Sequence, residues 1–148
     1  MYKKILVAID DSATSRCALA EAVALAKAHG ATLCITHAAD ETLLGMHHRT
    51  LSTTLNLDDA REAIRKAGQA LLEQAKSGID GIAVDTVLTE ADTKRVSEAI
   101  IEVSKKTGAD LIVVGTHGRR GLQRLIIGSV AEQLVRLAPV SILLVRKH

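Results

Sequence analysis

Apolar runs and helical periods alternate along the chain. Ile5–Ile9 is uninterrupted in its hydrophobicity and predicts a strand covered on both faces. Ser12 can then cap a helix in which Leu19, Ala22, Val23 and Ala26 share one face, and Gly30 stops it. Leu33–His37 predicts a second strand. Asp58 or Asp59 opens a helix with Ala60, Ile64, Ala67, Leu71 and Ala75 on one face, ending at Gly78. Ile82–Leu88 predicts a third strand, and Thr93–Thr107 carries Val96, Ile100 and Val103 at helical spacing before Gly108. Leu111–Val114 and Val140–Val145 are the fourth and fifth strands. Between them Val130, Leu134 and Leu137 predict a short helix closed by Pro139. This βαβαβαβαβ pattern implies an α/β fold, an open parallel sheet with helices on both faces.

Strand texture orders the sheet. The first and fourth strands are continuously apolar and belong in the centre. The third contains Asp85 and Thr86 and belongs at an edge. The order 3-2-1-4-5 satisfies both, with a topological switch point between strands 1 and 4. Open α/β sheets bind ligands there, outside the carboxyl ends of the strands. Asp10 and Asp11 follow strand 1, and Gly115 onward follows strand 4.

Composition narrows the functional classes. The 148 residues make one domain, 1–148, without a Pro/Gly/Ser-rich linker or internal repeat. A net charge of +2 supplies no global field for nucleic acid or an anionic membrane. One Tyr, no Phe and no Trp leave no stacking platform for single strands. Cys17 and Cys34 form neither a CxxC motif nor a zinc site, and the expectation is that both are plain thiols. The N-terminal apolar stretch is too short for a signal-peptide core, and no run reaches a membrane span. The expectation is a soluble cytoplasmic protein. Ala38–Leu57 fits no element and is read as a solvated loop or irregular helix. His47 and His48 within it have no carboxylate or Cys at ligand spacing, so no metal site is expected.

The chemistry lies in the stretch from Gly115 to Val130, GTHGRRGLQRLIIGSV. It leaves a central strand, passes Gly118, Arg119, Arg120, Gly121 and Arg124, and enters a helix at Gly128-Ser129. Glycines let backbone N–H groups approach a ligand, and a helix start offers unpaired donors at a positive dipole end. Ser129 adds a hydroxyl; His117 and the arginines add a local positive field. The sum is a phosphate cradle at the switch point. It is neither a P-loop, since no Gly-Lys-Ser/Thr occurs, nor the GxGxxG dinucleotide fingerprint.

Gly115-x2-Gly118-x9-Gly128-Ser129 resembles the G-2x-G-9x-G-S/T motif of the ATP-binding branch of the universal stress protein family. ILVAIDDS, ADLIVVGTHGRRGL and GSVAEQLVRLAPVSILLVR resemble the same family, and the likeness spans nearly the whole chain. The resemblance implies a Rossmann-like fold of the adenine nucleotide alpha hydrolase kind. It also implies an ATP site in which Gly115, Gly118, Gly128, Ser129 and Val130 contact phosphate, with Thr116, His117 and Arg119 close by. Asp10 would contact the ribose. Ala8, Ile9, Val114, Thr36, His37 and Ala38 would wall the adenine pocket. Mg²⁺ would accompany ATP. In place of the Gly-x-Pro or Gly-Pro that the family commonly has between strand 3 and the next helix stands Glu90-Ala91-Asp92.

The resulting expectation is a regulatory ATP-binding module of the stress response, with little or no turnover and an unidentified downstream partner. Two alternatives are an ATP-hydrolysing or ATP-cleaving enzyme on the same fold and a phospho-acceptor receiver domain. The former lacks a positioned general base other than His117, so no catalytic residue is assigned. The latter lacks an acceptor Asp ending strand 3. A homodimer is expected through strand 5, Val140–Val145, whose apolar edge is uninterrupted and would otherwise invite aggregation. The family resemblance implies the same dimer.

Overall fold

The computed structural model describes residues 1–40, 56–91, 95–117 and 127–147. Its elements, in chain order, are β1 (Lys4–Ala8), α1 (Ala13–His29), β2 (Thr32–Ala39), α2 (Leu57–Ser77), β3 (Val84–Glu90), α3 (Val96–Thr107), β4 (Leu111–Gly115), α4 (Ser129–Leu137) and β5 (Ser141–Val145). All strand pairs are parallel, and the sheet order is β3-β2-β1-β4-β5.

The alternation of side chains along the strands explains the uninterrupted apolar runs. Ile5, Val7 and Ile9, with Leu33, Ile35, Leu111 and Val113, face α1 and α2. Leu6, Ala8, Cys34, Ile112 and Val114 face α3 and α4, packing on Ile100, Val103, Ala131 and Leu134. A strand covered on both faces has no use for a polar position.

Helix α1 starts where its cap dictates: the Ser15 amide donates to Ser12 Oγ at 3.1 Å. It ends at Gly30, whose φ of 64° is the left-handed conformation that glycine adopts without strain. Its buried positions are the small residues Ser15, Ala18, Ala22 and Ala26, so the helix lies close to the sheet, with Leu19 and Val23 at the margins.

Several boundaries differ from the sequence reading. Asn56, not Asp58 or Asp59, caps α2: its side chain accepts from the Asp58 amide, and the two aspartates fall in the first turn. The face that α2 buries centres on Gly68 and Leu72 rather than on Ala67. A Cβ built on Gly68 would lie 2.8 Å from Leu88 Cδ1 and 2.9 Å from His37 Cδ2, which is why the helix can seat so low on β2 and β3. Strand β2 runs on to Ala39 and β3 to Glu90. The Ala91 amide then donates to the Ala39 carbonyl at 3.1 Å, extending the ladder one residue past β3. Most of Ala38–Leu57, with His47 and His48, lies outside the described residues.

Candidate functional site

A cleft of about 1050 Å³ opens at the carboxyl ends of β1, β2 and β4, at the switch point. Twelve of the residues that the sequence singled out line it: Ala8, Ile9, Asp10, His37, Ala38, Val114, Gly115, Thr116, His117, Gly128, Ser129 and Val130. Gly118 and Arg119, with the other loop arginines, lie outside the described residues.

Strand β1 delivers Asp10 into a local hydrogen-bonded turn. Asp10 Oδ1 accepts from the Ser12 amide at 2.9 Å, and the Asp10 amide donates to Ser15 Oγ at 2.9 Å. Asp10 therefore shapes the approach to α1 while it lines the cleft, and Ser12 makes the cap itself. At the end of β2, His37 Nδ1 donates to the Ile9 carbonyl at 2.8 Å and ties the two central strand ends together.

The β4 side is stitched through Thr116. Its amide donates to Val145 O at 2.9 Å, and its carbonyl accepts from the Gly128 amide at 2.7 Å. Gly128 is the N-cap of α4, with an extended backbone (φ −60°, ψ 152°) and no side chain to cap the helix. Its own N–H is committed to Thr116, so the donors left at this helix start are those of the residues after it. The first helical bond runs from the Glu132 amide to Gly128 O at 2.9 Å. His117 Nδ1 sits 3.0 Å from Thr116 Oγ1, while its Nε2 is sealed from solvent with no hydrogen-bond partner. A Cβ on Gly115 would come within 2.9 Å of Thr14 Cγ2, so that glycine admits the start of α1.

The cleft also takes in Asp11, Ser15 and Asp40, with Ile64, Gly68, Leu71 and Gln74 from α2 and Val96 and Ile100 from α3. Ile64 and Leu71 are legible in the sequence as one helical face, but periodicity cannot say that a face continues beyond the core into a cleft. Among the described residues, no three His, Cys, Asp or Glu side chains converge as a metal site.

A model of the universal stress protein family matches residues 1–146. The chain belongs to the universal stress protein family. The universal stress protein YxiE of Bacillus subtilis is 33% identical over 151 residues, which cover 99% of this chain and 100% of the relative. A crystal structure from Burkholderia pseudomallei, also of the universal stress protein family, is 30% identical with a TM-score of 0.77, covering 97% of this chain and 95% of that one. Two more distant structures share the fold. One universal stress protein, in complex with cAMP, has a TM-score of 0.65 at 23% identity and covers 97% of this chain and 96% of its own. The other, from Archaeoglobus fulgidus in complex with dAMP, has a TM-score of 0.63 at 20% identity, covering 97% and 98%.

Proposed function

We propose that this universal stress protein binds ATP, with Mg²⁺ accompanying the phosphates, as a regulatory module of the stress response with little or no turnover. One observation carries the reading: the start of α4 has no side-chain cap, and it lines the cleft together with His117. Unpaired N–H donors at a positive dipole end suit phosphate oxygens. The apolar part of the cleft, between the strand ends and α2, has room for a base. Structures of the same fold with cAMP and dAMP bound support an adenine nucleotide. Asp10 and Asp11 at the mouth supply carboxylates for a ribose or for the Mg²⁺.

Calorimetric titration tests the reading. ATP with Mg²⁺ should bind the wild type, and Gly128→Val should abolish binding. The extended backbone at Gly128 tolerates valine, so the loss comes from the side chain occupying the phosphate site. Ser129→Ala should lose about 1–3 kcal/mol, the cost of one missing donor to a charged acceptor. Tight ATP binding by the Gly128→Val protein would sink the assignment.

The same reading extends to assembly and compartment. A homodimer through β5 is favoured by the strand's lack of charge and by Val135 and Leu137, more than half exposed on the adjoining α4. Two free thiols fit the reducing cytoplasm. Among the described residues no helix is long and apolar enough to cross a membrane.

A further inference from the structure

The loop from α2 to β3 is anchored at two points and open between them. Ile79 and Ile82 pack against the core, whereas Asp80 and Gly81 are exposed. Gly81 has a φ of 80°, which residues with a side chain rarely adopt, and a Cβ built on it would meet no atom within 4 Å. Among the described residues the Gly81 amide donates to no acceptor, and the Asp80 carboxylate makes no hydrogen bond or ion pair. Asp80-Gly81 is also the one Asp-Gly pair in the sequence. Other aspartates are held or crowded. Asp10 Oδ1 accepts from the Ser12 amide, which also occupies the nitrogen that follows Asp11. The Asp110 carboxylate accepts from the amides of Lys3 and Lys4. The amide after Asp59 donates to the Asn56 carbonyl, and Asp85 precedes the β-branched Thr86.

We infer that Asp80-Gly81 is a modification site, at which the chain isomerises spontaneously to isoaspartate. The Gly81 nitrogen attacks Cγ of the protonated Asp80 carboxyl, and the new C–N bond closes a five-membered imide. The carboxyl hydroxyl leaves with the nitrogen's hydrogen as water. Water then opens the ring at either carbonyl. Attack at Cγ restores aspartate, while attack at the main-chain carbonyl carbon leaves the chain running through Cβ and frees the α-carboxylate. Water is the one co-reactant. Glycine crowds the attacking nitrogen least, and no hydrogen bond has to break before it moves. The product carries an extra backbone carbon between Ile79 and Ile82. Its free α-carboxylate is the group that a protein isoaspartyl methyltransferase esterifies, so the site implies that class of enzyme as its partner.

Ageing the folded protein at neutral pH and physiological temperature tests the inference. Methyl transfer from S-adenosylmethionine by an isoaspartyl methyltransferase counts the product, and fragmentation in a mass spectrometer places it. The signal should rise at residue 80 as fast as in a free peptide of residues 77–90. It should be lost in Asp80→Glu, whose longer side chain must close a slower six-membered ring. No signal at residue 80, or a signal that survives in Asp80→Glu, overturns the inference. A rate in the folded protein far below that of the peptide also overturns it, because the loop would then hold Gly81 away from Cγ. An equal rise at Asp85 would mean that the fold does not select the site, and it overturns the inference too.

Discussion

Ser97 on α3 donates its hydroxyl to Gln133 Oε1 on α4 at 2.5 Å, and Ser97 is fully buried. This bond ties the helix whose start faces the cleft to the helix that forms the cleft's far wall. Ser97→Ala should lower stability by about 0.5–1.5 kcal/mol, the usual net worth of such a bond, because Gln133 is only half-buried and water can take over its oxygen. Urea unfolding measures this. The tie would be irrelevant if both stability and ATP affinity stayed at the wild-type values.

Gly68→Ala sets two effects against each other. Alanine in a helix interior is worth about 0.5–1 kcal/mol over glycine. The new methyl, however, would lie 2.8 Å from Leu88 Cδ1 and 2.9 Å from His37 Cδ2, and such overpacking costs about 1–3 kcal/mol. The clash should win, leaving the variant less stable in urea and its affinity for ATP reduced as α2 lifts from His37. A more stable variant would mean that Leu88 and the ring yield easily.

Cys34 gives a pH dependence. Burial pushes its thiol up to about 11, with Asp85 adding to the rise and Lys4 pulling against it. The unfolded thiol ionises near its ordinary value of 9.0. The folded state therefore holds a proton that the unfolded state releases between these limits. The contribution is complete below pH 9, falls away as pH rises toward 11, and amounts to about 2–3 kcal/mol in all. Urea midpoints across this range should decline more steeply for the wild type than for Cys34→Ala. Parallel declines would place Cys34 outside the alkaline transition.

The orientation of β5 makes the dimer testable. Val145 O accepts from Thr116 on the β4 side, and successive residues of a strand turn their N–H and C=O groups to opposite edges. Ile142 and Leu144 therefore aim theirs at the outer edge. Proline at either position removes an outward donor and spares the ladder to β4. Sedimentation should find the wild type dimeric and Ile142→Pro or Leu144→Pro shifted to monomer. A wild type that sediments as a monomer would mean that the edge is covered within one chain.

The sheet order was legible because burial on two faces leaves a signature. Ile5–Ile9 and Leu111–Val114 carry no polar residue, whereas Asp85 marks β3 as an edge. Helix ends were legible where one residue decides them, as at Ser12, Gly30 and Gly108. They were less so where Asn56 competes with the aspartates after it. Ala8, Ile9, His37, Ala38 and Val114 came with the family resemblance, whereas Asp10, Gly115, Thr116, His117, Gly128, Ser129 and Val130 could be named because the switch point and the glycine pattern fix them along the chain. What each does could not. That Gly115 admits Thr14, that the Gly128 amide is spent on Thr116, and that α2 rests on the His37 ring are contacts between distant segments, and no local pattern encodes them.

Thr116 holds the last strand with its amide and the N-cap of the cradle helix with its carbonyl. A single residue thus works as a rivet through three pieces: the end of β4, the rim of the sheet and the start of α4. The position of the outermost strand and the aim of the helix start form one mechanical variable rather than two. A shift of β5 against β4 would swing the start of α4 and turn its donors away from their target. Damage at the rim of this sheet should accordingly surface as a fault in the cleft before it surfaces as unfolding.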